Sequence, residues 1–277
     1  MRESGGIALD VGTSTYPFLW ECTLLEALER ISRIGVKNVE ILVSPPHLSF
    51  RTLTMDDVRQ IKKKVRDENL NVRTLNIPGL DINIASVFPE MRDYTVDQYK
   101  QLIRLAAQLE APYILMHPGK LHPLLPPDFE RVWEMCRPCY EEVVRFAESH
   151  GVVVLIENMP SLFFQTAEEI KRALNEIGSG HFAAAYDVSN AFMVEDPAEG
   201  IRTLGNAIRV LHLNDTSRQK WAHNPVGEND IDFRAIGEAL REIDFTGECI
   251  LEIIPAKAEE GILSSISHLR KAGWHVN

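Results

Sequence analysis

Short apolar runs rich in β-branched residues recur along the chain, and each is followed by a longer stretch whose apolar positions repeat with helical spacing. The runs 7–11 (IALDV), 38–43 (NVEILV), 72–77 (VRTLNI) and 113–117 (YILMH) predict four strands, and 152–158 (VVVLIEN), 182–187 (FAAAYD), 210–214 (VLHLN) and 249–254 (CILEII) predict four more. A nearly unbroken apolar stretch such as 152–156 suits a strand covered on both faces, as in a parallel sheet. The intervening helices start at side chains able to satisfy the free N–H groups of a first turn. Thr23 with Glu26, Thr95 with Gln98 and Thr166 with Glu169 fit the capping box, while Thr54, Asp196 before Pro197, and Asp232 supply further N-caps. Eight strand–helix units in 277 residues average roughly 35 residues each, the unit size of a parallel eight-stranded (β/α)8 TIM barrel with outer helices. Residues 1–277 are accordingly read as a single barrel domain. A doubly wound open sheet would carry a Gly-rich turn after its first strand, but that turn reads DVGTSTYP, and no P-loop occurs. The Pro-rich stretch 118–127 (PGKLHPLLPP) falls between the fourth strand and its helix, where it reads as a functional loop or lid and not a domain linker.

Composition narrows the partners. Hydrophobic residues make up 45% and charged residues 25%, which excludes disorder and supplies a substantial core. Lys and Arg total 29 against 40 Asp and Glu, and the net charge of -11 repels a phosphate backbone, so no nucleic-acid partner is expected. The opening MRESGG has no apolar h-region, and no run reaches the roughly eighteen apolar residues of a membrane span, so a cytoplasmic protein without membrane contact is expected. Cys22, Cys136, Cys139 and Cys249 are too few for a disulfide framework. The C-x-x-C at 136–139 has no second pair to complete a zinc set and no strand leading into it, so reduced thiols are the reading.

In a parallel barrel the C-terminal ends of all strands open on one face, so polar residues at those ends converge. Four consecutive predicted strands end in a candidate metal ligand: Glu157, Asp187, His212 and Glu252. Taken singly, each has an ordinary structural explanation, such as capping a helix or a hydrogen-bonded core histidine. Taken together they form a hard, oxygen-rich shell whose mutual repulsion demands a cation. One divalent ion is expected, Mn²⁺ first, with Mg²⁺, Co²⁺ or Zn²⁺ as alternatives. Phe18 and Trp20 after the first strand, and Trp221, are candidates to line the mouth of the site, and Lys120 to meet a phosphate or carboxylate. Glu40, an acid inside a buried-looking strand, either hydrogen-bonds substrate or ties strands together.

The segments MHPGK (116–120), IEN (156–158), YDVSNAF (186–192), LHLNDTSR (211–218), HNPVGENDIDF (223–233) and LEI (251–253) resemble the xylose isomerase-like TIM barrel superfamily, which contains sugar isomerases and epimerases, inosose-processing enzymes and apurinic endonucleases. The resemblance implies that Glu157, Asp187, His212 and Glu252 hold the metal of a single-metal ketose epimerase and that Arg218 contacts substrate oxygens. Asn190 stands where such epimerases have a substrate-contacting histidine. The endonuclease branch uses three zinc ions; His117 and His223 match two of its ligands, but Asn190 and Trp221 replace a His and an Asp, and TLNIP at 74–78 lacks a further histidine. Substrate contacts are therefore expected from His117, Asn190, Arg218, His223, Lys120 and Trp20, with His117 also able to support Glu157 or border a second ion.

The expected activity is that of a metal-dependent sugar isomerase or epimerase on a ketose, keto sugar or inosose. Glu157 and Glu252 act as paired acid and base, and the metal stabilises an enediolate. A dehydratase or lyase shares the first half of that reaction and is the nearest alternative; an endonuclease-like hydrolase and a non-catalytic sugar-binding protein are more distant ones. The small-molecule sugar or polyol is the expected partner, and a homo-oligomer is compatible with the outer helices.

Overall fold

The computed structural model describes residues 8–79 and 81–276; MRESGG and the first residue of the predicted strand 7–11 lie outside the described residues. Eight parallel strands close into a barrel. They are β1 (Val11–Ser14), β2 (Asn38–Leu42), β3 (Asn71–Asn76), β4 (Tyr113–Met116), β5 (Val153–Glu157), β6 (Phe182–Asp187), β7 (Ile208–Leu213) and β8 (Glu248–Leu251). β8 pairs with both β7 and β1, so the cylinder has no free edge.

The predicted strands after the first fall on barrel strands, but the first is displaced. Ala8–Leu9 pairs with His275–Val276 outside the barrel, and β1 begins at Val11, where the apolar run ends. The reason is steric. A Cβ on Gly12 would stand 2.4 Å from the Asn38 carbonyl oxygen and 2.7 Å from Ile250 Cδ1, so this strand passes through the barrel wall on small residues that carry no hydrophobic signal.

Outer helices follow the strands: α1 (Leu24–Arg33), α2 (Met55–Asp67), α3 (Pro89–Leu109), α4 (Phe129–Glu148), α5 (Ala167–Ile177), the short α6 (Val188–Phe192), α7 (Pro197–Leu204), α8 (Phe233–Glu242) and α9 (Ala258–Lys271). Thr23, Thr54 and Thr166 form complete capping boxes with Glu26, Asp57 and Glu169, and Asp196 and Asp232 cap α7 and α8. Thr95 does not cap a helix. α3 already starts at Pro89, whose fixed φ suits a first helical position. The Thr95 hydroxyl instead donates to the Met91 carbonyl (2.7 Å) and accepts the Asn83 N–H (3.0 Å), which ties the preceding loop to the helix.

Leu115, Leu155, Ala183, Ala185, Val210 and Ile250 fill the barrel interior, while the larger core lies between strands and helices. Arg73 and Asn38, both bonded to Glu248, close the N-terminal end of the cylinder (2.9 and 3.2 Å). Cys136 is buried on α4, and burial pushes its thiol pKa up to about 12; all four cysteines are free. No helix among the described residues is long and apolar enough to cross a membrane.

Candidate active site

Side chains alternate across a strand, so a residue two positions beyond an inward-facing one also faces inward. Leu155, Ala185, Val210 and Ile250 point into the barrel, and a step of two from each reaches Glu157, Asp187, His212 and Glu252. One candidate ligand atom from each lies within 4.8 Å of the others, and all four side chains are buried. The same step from Leu115 reaches His117, whose Nδ1 is 3.3 Å from Glu157 Oε2. Three carboxylates and one imidazole at such separations make a donor set that fits a hard divalent ion.

The electrostatics point the same way. Burial pushes the carboxyl pKa values of Glu157 and Glu252 up because loss of water disfavours the charged form, and neighbouring carboxylates add to the rise. Burial opposes the charged form of His212, yet Glu252, Glu40 and Glu157 outweigh it and hold the imidazole well above its usual range. His212 Nδ1 lies 2.9 Å from Glu157 Oε1 and 3.5 Å from Glu252 Oε2, whereas Nε2 lies 3.1 Å from Glu40 Oε2. With a cation at the shared point, Nδ1 is free to ligate as a lone-pair donor while Nε2–H donates to Glu40, which orients the ring.

Glu40 thus acts behind His212, and three asparagines complete the frame. Asn76 Nδ2 donates to both Glu40 Oε1 and Glu252 Oε1, each at 3.2 Å. Asn158 exchanges two hydrogen bonds with the Asp187 backbone (2.8 and 3.0 Å), and Asn214 Nδ2 donates to Asp187 Oδ2 (2.6 Å) and to the Glu252 carbonyl (3.2 Å). None of these asparagines was singled out from sequence. For Asn158 and Asn214 the signal was a carboxamide within two residues of a candidate ligand at a strand exit; Asn76 had none.

A cavity of about 290 Å³ opens above the cluster, with Glu157 and Glu252 at its floor and Tyr16, His117, Trp221 and Ile254 around it. Tyr16, which sequence reading missed, sits in a short turn after β1. Burial pushes the His117 pKa down to about 4, so its imidazole is neutral near pH 7. His223 Nδ1 lies 3.3 Å from Glu252 Oε2; burial opposes its charge, but Asp187 and Glu252 raise its pKa to about 9. Asn190 also lines the cavity, and its Oδ1 accepts the Trp221 indole N–H (2.9 Å) and faces His223 Nε2 (3.3 Å).

Three of the expected substrate contacts lie elsewhere. Trp20 is 83% exposed and does not line the cavity. Arg218 stacks over the Phe192 ring at 3.9 Å and donates to the Phe192 carbonyl. Lys120 borders a neighbouring recess between the loops after β3 and β4, where its backbone N–H donates to Asn83 Oδ1 (2.7 Å). Nearness to a strand exit in sequence does not say which way a loop turns.

Trp221 and His223 are carried by an antiparallel hairpin, Asp215–Ser217 with Lys220–Asn224, that the sequence reading did not foresee. The Asp215 carboxylate anchors the segment that follows by accepting N–H bonds from Thr216 (2.9 Å), Gly227 (3.0 Å), Asn229 (2.8 Å) and Ile231 (3.2 Å). Asp215→Ala leaves these donors without their acceptor and is expected to cost about 3 kcal/mol, which lowers the melting temperature by roughly 5–10 °C. Calorimetry checks this, and a melting temperature within a degree of wild type contradicts it.

A model of the xylose isomerase-like TIM barrel family matches residues 28–272. The chain belongs to the xylose isomerase-like TIM barrel family. Within it, the chain is 24% identical over 243 residues to the D-psicose 3-epimerase of Ruminiclostridium cellulolyticum, covering 84% of this chain and 79% of that protein. It is 25% identical over 272 residues to a probable endonuclease 4 of Natranaerobius thermophilus, covering 88% and 92%. A solved D-tagatose 3-epimerase-like protein superposes with a TM-score of 0.83 at 23% identity, covering 95% of this chain and 97% of that one, a likeness of fold.

Proposed function

We propose that this member of the xylose isomerase-like family is a divalent-metal-dependent keto-sugar isomerase or epimerase in which Glu157 and Glu252 move the proton. The carrying observation is that these two carboxylates belong both to the four-residue cluster and to the cavity lining, so each can turn one oxygen to a cation and the other to substrate. A divalent ion, manganese first, supplies fixed positive charge beside the substrate oxygens and offsets the negative charge that develops as the C–H proton leaves. One carboxylate takes the proton from the carbon beside the carbonyl. Return by the opposite carboxylate inverts that centre, and return to the neighbouring carbon, with the hydroxyl proton passing from one substrate oxygen to the other, relocates the carbonyl. His117 and His223 flank the two carboxylates at 3.3 Å each, within reach of substrate oxygens.

The similarity to a D-psicose 3-epimerase supports this reading. The similarity to a probable endonuclease 4 carries less weight, because Asn190 and Trp221, at two positions where that branch has metal ligands, hydrogen-bond to each other. In D₂O, metal-loaded protein is expected to wash one deuterium into a ketose or inosose while the carbon skeleton keeps its molecular formula, as read by mass spectrometry. An unsaturated product with new ultraviolet absorbance identifies a lyase instead, and absence of wash-in across ketoses, inososes and keto acids refutes the proposal.

A further inference from the structure

In parallel barrels the loops after the seventh and eighth strands, with the N-terminus of a nearby helix, commonly cradle a substrate phosphate. Here those connections carry acids. The segment after β7 holds Asp215, Glu228, Asp230 and Asp232. Asp215 takes up four backbone N–H groups of that segment, and Asp232 accepts the Arg234 and Ala235 N–H groups at the start of α8 (2.9 and 3.1 Å). After β8, Glu259 and Glu260 occupy the first turn of α9. After β7 the donors that would greet an anion are taken by Asp215 and Asp232, and at the start of α9, which has no side-chain cap, Glu259 and Glu260 place negative charge at the positive helix end.

Of the nearby cations, two are paired with acids and a third lies on an aromatic ring. Arg30 makes a two-pronged pair with Glu259 (2.5 and 2.6 Å), Lys257 pairs with Glu260 (2.7 Å), and Arg218 lies over Phe192. Among the described residues, the cavity lining includes no lysine or arginine, and His223 there faces Glu252. Beside the two carboxylates the lining mixes uncharged polar groups and imidazoles (Tyr16, Asn76, His117, Asn190, His223) with an apolar share made by Leu42, Pro78, Met159, Trp221 and Ile254. Trp221 is 46% exposed, and its indole is held by Asn190, so a ring face is fixed in place rather than free to rotate away.

Resting on the keto-sugar reading above, we propose that the substrate is an unphosphorylated keto sugar, and that this cavity discriminates against sugar phosphates. A phosphate monoester brings about 1.5 to 2 negative charges and needs charge-assisted donors when desolvated. In this cavity it would lose water beside Glu157 and Glu252 with no lysine or arginine in the described lining to receive it. A neutral polyol instead lays its C–H face on the Trp221 ring and keeps its outer hydroxyls in the open mouth.

The test compares matched pairs on the metal-loaded protein: D-fructose with its 6-phosphate, and D-ribulose with its 5-phosphate. Deuterium wash-in gives kcat/KM, and calorimetric titration gives Kd independently of turnover. The free sugar of at least one pair is expected to exceed its ester by about 100-fold in kcat/KM and to bind more tightly. Ile254→Arg, which adds a cation at the rim, is expected to narrow that gap about tenfold. An ester that exchanges or binds as well as its free sugar overturns the assignment, as does failure of both members of every pair to bind. Preferential binding of free sugar without wash-in supports the substrate class while refuting proton transfer, so the two readings fail separately.

Discussion

Glu157→Gln and Glu252→Gln are each expected to lower solvent-deuterium exchange into the substrate by about 10³–10⁴-fold, with metal content retained at elevated Mn²⁺. Glutamine keeps the shape and one neutral oxygen but cannot accept a proton at neutral pH, so the substitution separates acid–base chemistry from packing. Under the proposed mechanism the two carboxylates, at the end of β5 and just after β8, serve a single proton transfer, so the double variant is expected to fall little further than either single one. Wild-type exchange in both single variants, with the metal still bound, removes these residues from the chemistry. Loss of metal in either variant is read by elemental analysis and kept apart from the kinetic result.

Chelation has the second-largest expected effect, since it acts on stability as well as activity. Glu157, Asp187 and Glu252 are buried around His212, and a cation that binds this set only in the folded chain stabilises it by mass action. At a hundredfold excess over Kd that stabilisation is about 2.7 kcal/mol, so removal by a chelator is expected to lower the melting temperature by roughly 5–10 °C and abolish exchange. Both recover on adding Mn²⁺. The affinity is expected to rise with pH. His212 holds its proton well above the usual histidine range because of the surrounding carboxylates, and that proton must leave before Nδ1 can ligate. Lowering the pH therefore favours protonated His212 and weakens the metal. Glu40→Gln, which removes the charged acceptor behind His212 Nε2, is expected to weaken metal binding by about 10–100-fold. Calorimetric metal titrations at pH 6 and 8 check both statements. Equal affinity at the two pH values, or full activity in metal-free protein, contradicts them.

The barrel was legible because burial on both faces of a parallel strand writes a continuous apolar run, and helix starts write their capping residues locally. β1 was misplaced because its close passage through the wall selects Gly12 and small polar neighbours, which look like a turn. Thr95 had the spacing of a capping box, yet the proline at the true start of α3 lies six residues earlier.

By itself, the sequence determined the cylinder and the four side chains at consecutive strand exits, because strand alternation and parallel order leave those positions only one direction to face. Tertiary structure alone decided what stands behind and around them. Glu40 and Asn76 reach His212 and Glu252 across the barrel, a relation with no sequence spacing to betray it. Loops have no such periodicity: the hairpin turned Trp221 and His223 toward the cavity and left Arg218 on Phe192, while Trp20 and Lys120 followed loops that lead away. Their course depends on contacts such as the four N–H groups gathered by Asp215, which exist only once the chain has closed.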